Sequence, residues 1–405
     1  MADLYVKEFD TINPFIVASS PATQGSKNVL KTAKSRPGAI VLRNFGHGAG
    51  GGSYVGGGAR AMYSGGAVSH SHATGQQIND PVSTLEQYCE EVRIIKREMD
   101  SDIKLWVSVG HYNDIPQGGG WQKDWVRQAR ELEHAGADAI ELHFNTPGVA
   151  ALGGRLFDYY ALVEHCTRMI KAATKLPVMV KLAVEGCDPF RAIKAASSAG
   201  ADAVGPTARW KAFCMDLDWR TTQARPGGGY GGTQATPIVC HAVAEARSAG
   251  IKTPMFAGGG VFSFDQAARI IMSGSQLAQV GALACSGGVS AVERMIKQFE
   301  GWMDKSGYKN MGELCGDALK LFNMPADVAA ERTRRLAAAY KDFQIIEEKC
   351  TGCGNCYDVC WHDAIVISEG VARKKESCIG CGYCFQVCPV GALEVDIQGI
   401  LSSVF

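Results

Sequence analysis

The spacing Cys350-x2-Cys353-x2-Cys356-x3-Cys360 recurs as Cys378-x2-Cys381-x2-Cys384-x3-Cys388, and these two runs hold eight of the fifteen cysteines. Two-residue gaps let three thiolates turn back on one small inorganic centre while local backbone amides face its sulfides. The arrangement therefore points to two [4Fe–4S] clusters. A structural zinc site would use four cysteines with a longer gap between its pairs. The other seven cysteines, Cys89, Cys166, Cys187, Cys214, Cys240, Cys285 and Cys315, are scattered through apolar or helical surroundings. They read as small buried hydrophobes in a reducing compartment. The charged N-terminus lacks an apolar signal core, and no apolar run approaches the ~18–20 residues a bilayer requires. A cytoplasmic protein without membrane insertion is expected. Zero formal net charge argues against nucleic acid as a partner.

In two-cluster ferredoxins the fourth cysteine of each run ligates the other cluster. Cys350, Cys353, Cys356 and Cys388 are thus assigned to one cluster, and Cys378, Cys381, Cys384 and Cys360 to the second. Gly352, Gly354, Gly380 and Gly382 suit the tight wrapping turns. Pro389 follows the second run, whereas Trp361 stands in the equivalent place after the first. Between Ile346 and Phe405, four basic residues stand against eight acidic ones, which fits an acidic face docking on a basic electron-transfer partner.

Upstream, short β-branched runs alternate with longer helical stretches, the signature of a parallel α/β fold. Candidate strands are 15–18, 40–43, 105–108, 139–143, 178–182, 202–204, 255–257 and 278–280. Eight strands predict a closed (β/α)8 barrel. A doubly wound sheet is the alternative. Two joints repeat Ala-Gly-Ala-Asp, at 135–138 and 199–202, where glycine can end a helix in the left-handed conformation. Gly46-His47-Gly48-Ala49-Gly50-Gly51 matches a dinucleotide fingerprint, but the glycine-rich residues after it cannot readily form the required helix. It reads instead as a mobile loop over the barrel mouth, and no nicotinamide is expected to bind this chain directly. The expected division is a barrel over 1–302, a polar helical connector over 303–344 and an α+β cluster domain over 345–405. The basic stretch around Arg332, Arg334 and Arg335 reads as a solvated helix face.

Barrel active sites lie at the C-terminal strand ends, with phosphate held after strands seven and eight. Here those loops read Ala257-Gly258-Gly259-Gly260-Val261 and Val280-Gly281-Ala282-Leu283. Their glycines permit close backbone approach to phosphate oxygens. Lys181 ends strand five, where an ammonium can stabilise negative charge on a reduced flavin.

With these features in order, the chain resembles the catalytic subunit of bacterial dihydropyrimidine dehydrogenases and, more widely, dihydroorotate dehydrogenases. The resemblance rests on Asn13-Pro14-Phe15-Ile16-Val17-Ala18-Ser19-Ser20-Pro21, the Ala-Gly-Ala-Asp joints, Lys181, both glycine loops and the terminal cysteines. It implies an FMN barrel with Ala18, Ser19 and Ser20 along the flavin and Lys181 near its N1/O2 edge. Arg43, Asn44, Asn145, Thr207, Gly231 and Gly232 would lie around the ring and ribityl chain. Gly259, Gly260, Gly281 and Ala282 would hold the phosphate. It further implies a homodimeric core and an FAD-containing, NAD(P)H-oxidising partner.

The substrate pocket departs from that family. His143-Phe144-Asn145-Thr146-Pro147 stands where relatives have Asn-Leu-Ser-Cys-Pro, so Thr146 takes the proton-transferring position and His143 an asparagine position. Arg43 replaces a lysine, Ala208 an asparagine, and Thr74 and Gln76 lie near a third family asparagine. Losing amides removes paired hydrogen bonds to a pyrimidine edge. His47, His70, His72, His111, Tyr112, Arg209, Trp210 and Lys211 fall in loops expected at the same mouth, and Arg43 or Arg209 suits an anionic group. The leading expectation is an FMN- and iron–sulfur-dependent oxidoreductase acting on a C–C double bond beside a carbonyl or within a ring. Thr146, Lys181, His143 and Arg43 are its candidate catalytic residues. A dihydropyrimidine dehydrogenase with a rearranged pocket and an electron-transfer subunit are the alternatives.

Overall fold

The computed structural model describes residues 2–43, 53–55, 76–78, 84–110, 120–144, 158–182, 187–206, 210–212, 228–230 and 232–396. The chain separates into two compact units, Met1–Phe322 and Asn323–Phe405.

The first unit is built on eight parallel strands: β1 (Phe15–Val17), β2 (Ala39–Leu42), β3 (Lys104–Val109), β4 (Ala139–His143), β5 (Val178–Lys181), β6 (Ala203–Gly205), β7 (Phe256–Gly258) and β8 (Leu277–Val280). Pairing runs β7-β8-β1-β2-β3-β4-β5-β6. A parallel bridge between Val204 and Met255 brings the two ends of that order together, so the sheet is a nearly closed barrel. Each of the eight predicted runs overlaps one of these strands, with ends that differ by a residue in most, and the barrel rather than the open sheet is what forms. Around it lie α1 (Gly25–Ala33), α2 (Leu85–Glu98), α3 (Trp121–Ala135), α4 (Tyr159–Lys171), α5 (Pro189–Ser198), α6 (Thr236–Ser248), α7 (Phe264–Met272) and α8 (Ala282–Ser306). Among the described residues, no helix is long and apolar enough to cross a membrane.

The barrel is filled from its N-terminal end by aromatics. Phe9 stacks on Trp106 at 5.9 Å, and Trp106 meets Phe256 edge-on at 5.3 Å. A filled floor of this kind leaves the opposite, C-terminal end as the place for chemistry.

The repeated joints do the same work twice. Gly136 and Gly200 take φ of 100° and 89°, turning the chain from helix into strand. Asp138 then accepts the backbone N–H of Leu105 at 2.7 Å and pairs with Lys96 at 2.8 Å. Asp202 accepts the N–H of Val178 at 2.7 Å and pairs with Lys171 at 2.7 Å. In each case the carboxylate accepts an amide at the start of the preceding strand, Leu105 being the second residue of β3 and Val178 the first of β5, and ties that strand to the helix before it.

Two short antiparallel ladders, Ser53–Val55 with Gln76–Ile78 and Trp210–Ala212 with Gly228–Tyr230, stand apart from the barrel sheet. The first gives strand where a dinucleotide fingerprint would need a helix. The segment Gly46–Gly51 itself lies outside the described residues.

In the second unit, α9 (Ala326–Lys341) leads into two antiparallel pairs, β9 (Gln344–Ile345) with β12 (Leu393–Glu394), and β10 (Ile365–Ser368) with β11 (Val371–Lys374). Two short helices, α10 (Asn355–Asp358) and α11 (Tyr383–Val387), follow the cysteine turns. Phe385 packs edge-on against both Tyr340 and Phe343 at 5.2 Å, so part of the predicted connector belongs to this small core. Arg334 and Arg335 are exposed and pair with Glu331.

Candidate active site and cysteine cavities

In the barrel, Lys181 is the last residue of β5 and stands in register with His143 of β4. Its side chain is only 4% exposed. Glu141 lies two residues before His143 on β4, nearer the floor. Glu141 is fully buried at 0% exposure. One carboxylate oxygen accepts from Ser108 Oγ of β3 at 3.3 Å, and the other from Gln279 Nε2 of β8 at 3.3 Å. Lys181 Nζ lies 3.8 Å from that second oxygen. A charged residue this deep requires a partner and hydrogen bonds, and the three neighbours supply both. Sequence reading selected Lys181 but passed over Glu141, Ser108 and Gln279. The available signal was an acid in the middle of the otherwise apolar run Ala139-Ile140-Glu141-Leu142, on a strand meant to face a core.

Around the same end, the backbone closes in on itself. Ala18 N–H donates to Val280 O at 3.0 Å, joining the end of β1 to the end of β8. Ser20 N–H donates to Thr23 Oγ1 at 3.0 Å, while Ser20 Oγ is buried with no hydrogen-bond partner among the described residues. After β7, Gly259 and Gly260 take φ of 130° and 81°. A Cβ on Gly260 would fall 2.5 Å from Gly232 O and 2.7 Å from Thr236 Oγ1, so only glycine fits that approach. Thr236 Oγ1 donates towards Gly260 O at 3.3 Å. Gly281 caps α8, whose first residue is Ala282 and whose path breaks at Gly288. The structure thus brings Gly232 against Gly260, and Ala18 beside Gly281, whose added Cβ would sit 3.8 Å from Ala18 Cβ. Ser19 lies between Ala18 and the unpartnered Ser20.

Arg43 follows β2, takes Thr23 O with its N–H at 3.1 Å, and donates from Nη1 to Gln24 Oε1 at 3.1 Å. Asn44, Asn145, Thr146, Thr207, Ala208, Arg209 and Gly231 lie outside the described residues, as do His47, His70, His72, Thr74, His111 and Tyr112. Of His143, Gln76, Trp210 and Lys211 only the strand backbone is described.

The second unit carries two cavities. One is lined by Cys350, Cys353, Cys356 and Cys388, with Ile345, Ala372 and Leu393 behind them. The other is lined by Cys360, Cys378, Cys381 and Cys384, with Phe343, Ala364 and Ile365 behind them. Each cavity draws three thiols from one run and the fourth from the other. Backbone amides reach the sulfurs in matching positions: Ala364 N–H to Cys360 Sγ and Ala392 N–H to Cys388 Sγ, both at 3.2 Å, and Ala372 N–H to Cys350 Sγ at 3.4 Å. Gly380 is tightly held, since a Cβ there would lie 1.9 Å from Ala337 O of α9. Burial, followed by the neighbouring Cys378 and Cys381, pushes the Cys384 thiol up to about 11. Ligation must therefore displace protons. Among the described residues, no three His, Cys, Asp or Glu side chains are gathered closely enough for a single metal ion. Trp361, beside Cys360, is 84% exposed. Of the remaining described cysteines, Cys89 and Cys166 are buried and Cys187, Cys240, Cys285 and Cys315 partly so.

Comparison with known proteins agrees with both halves. The family model described as "Dihydroorotate dehydrogenase" matches residues 78–303, and "4Fe-4S dicluster domain" matches residues 343–395. The NAD-dependent dihydropyrimidine dehydrogenase subunit PreA of Escherichia coli (strain K12) is 27% identical over 61% of this chain and 62% of its own length. Dihydroorotate dehydrogenase A (fumarate) of Lactobacillus helveticus is 28% identical over 51% of this chain and 68% of its own. The catalytic subunit of dihydroorotate dehydrogenase B (NAD(+)) from Methanosarcina mazei is 29% identical over 49% and 63% respectively. The match thus spans under two thirds of the first and third of these relatives.

Proposed function

The chain belongs to the dihydroorotate dehydrogenase family, and from that premise we propose that it is an FMN- and iron–sulfur-dependent oxidoreductase. It reduces, or reversibly oxidises, a C–C double bond beside a carbonyl or within a ring. The observation that carries this reading is Lys181, almost fully buried at the C-terminal end of β5, in a barrel whose β7 and β8 run out into glycine loops. FMN bound here would supply two-electron chemistry at one carbon of the substrate and one-electron exchange with the clusters.

The residues present fit such a group. The close approach of Gly260 to Gly232 holds the turn after β7 tight, and the buried Ser20 Oγ, without a partner among the described residues, offers a hydroxyl to a polar ligand. Lys181 would hold positive charge near the pyrimidine edge of the flavin. Thr146 would move a proton at the carbon next to the one reduced, with His143 beside it on the strand end. A threonine hydroxyl is a weak acid near neutrality and needs polarisation to serve. Arg43 would hold an anionic group of the substrate or cofactor.

In the second unit, Cys350, Cys353, Cys356 and Cys388 would bind one [4Fe–4S] cluster, and Cys360, Cys378, Cys381 and Cys384 the other. That each cavity is lined by three cysteines of one run and one of the other supports this exchange of fourth ligands. The names of two relatives, each a subunit of an NAD-dependent enzyme, support an NAD(P)H-oxidising partner for this chain, which would carry FAD. Residues 1–302 would form the catalytic barrel, 303–344 the connector and 345–405 the electron-transfer domain, in a homodimeric core.

The test is oxygen-free purification with flavin and iron assays, followed by mixing dithionite-reduced protein with unsaturated carbonyl compounds and heterocycles. FMN, about eight irons per chain and reoxidation of the flavin by one of these compounds are expected. A preparation able to fold but unable to bind FMN would overturn the reading. Uracil and thymine belong in the screen, because reoxidation by them alone would select a dihydropyrimidine dehydrogenase.

A further inference from the structure

We infer that Glu141 is a positioning residue that sets the charge of Lys181, and through it the relative affinity of the barrel for reduced and oxidised FMN. The inference rests on the flavin reading above and adds a residue from the middle of β4 that makes no contact with the mouth in its own right. Three strands converge on Glu141: β3 through Ser108, β8 through Gln279, and β5 through Lys181. Ser108 is 1% exposed and Gln279 4%, so all four side chains are withdrawn from water.

A buried ammonium with no anionic neighbour tends to lose its proton, because burial penalises the charged form. A carboxylate at 3.8 Å opposes that tendency. Glu141 in turn is held by two donors on opposite sides, so its position is fixed by the barrel wall rather than by the lysine. The carboxylate can then keep Lys181 cationic whether or not negative charge has developed above it. Positive charge at that place favours the reduced, more negative form of the cofactor.

Replacing Glu141 by Gln keeps its volume and one acceptor oxygen, removes the charge, and turns the other acceptor into an N–H donor. In Glu141→Gln, affinity for reduced FMN relative to oxidised FMN should fall about tenfold, which for a two-electron couple lowers the midpoint potential by about 30 mV. The same direction is expected for Lys181→Met. The double variant should match Lys181→Met alone, since Glu141 acts through the lysine. Affinity for oxidised FMN, followed by quenching of its fluorescence, should change little in Glu141→Gln. Glu141→Asp, which retracts the charge by one methylene, should give an intermediate potential, and it decides the matter if Glu141→Gln does not fold.

The measurement is a spectroelectrochemical titration of full-length, FMN-loaded protein. An unchanged potential in a flavin-containing Glu141→Gln, or a wild-type potential in Glu141→Asp, overturns the inference and leaves the flavin reading intact. Additive shifts in the double variant overturn it likewise. A wild-type protein that takes up no FMN removes both together.

Discussion

Tyr308 and Asp317 show how far a single contact can be read as chemistry. Burial, and then a 2.7 Å hydrogen bond to Asp317, pushes the Tyr308 hydroxyl up to about 12. Its folded value lies above the ordinary 10.0, so the stabilisation is complete below pH 10 and disappears as pH rises through 12. Tyr308→Phe should flatten the alkaline loss of stability between those limits, measured as thermal midpoint against pH. An unchanged alkaline profile would mean that the contact contributes nothing. Gly260 makes a second residue-scale case. Its φ of 81° and the 2.5 Å approach to Gly232 O give alanine both backbone strain and a collision. Gly260→Ala should cost about 1–3 kcal/mol from the backbone alone and weaken FMN retention in dialysis. Full retention of flavin and stability would show that the turn relaxes freely.

At the scale of elements, the paired joints argue that strand ends are secured by side chains as much as by the ladder. Asp138 and Asp202 each accept an amide at the start of the preceding strand while holding a helix lysine. Asp138→Ala would leave the Leu105 N–H without its acceptor, at a cost of about 1–3 kcal/mol. The same range applies to Asp202→Ala and Val178. The two sites share no partner, so their effects on the barrel's denaturant midpoint should add. A double variant no less stable than either single one would contradict the parallel roles. The lysines matter less, because their ion pairs are part-exposed and screened.

Over the whole molecule, the central prediction concerns how the two cysteine runs depend on each other. Each cavity takes its fourth thiol from the other run, so a substitution in the first run should damage the centre named for the second. Cys360→Ala is expected to reduce iron from about eight to about four atoms per chain, leaving FMN bound in the barrel. In paramagnetic resonance of the reduced protein, the surviving signal should be abolished by a further Cys353→Ala but not by Cys381→Ala. The reverse pattern would return Cys360 to the cluster of its own run. In the same variant, dithionite should still reduce the flavin while exchange with an NAD(P)H-oxidising partner slows.

Sequence alone determined whatever depends on residues near one another along the chain. Cysteine spacing dictates turns that can wrap a small centre. Alternating apolar runs and helices dictate a parallel α/β architecture, and the glycine loops mark where backbone must come close to something. Lys181 was legible because a cation at a strand end is conspicuous. Tertiary structure alone decided which side chains surround it. Ser108 and Glu141 lie in register on neighbouring strands, but Gln279 comes from a strand 138 residues beyond Glu141, and local sequence does not announce that the three meet. Curvature of the sheet into a ring brought their inward faces together. A buried charge is tolerated only where such a ring provides its partners.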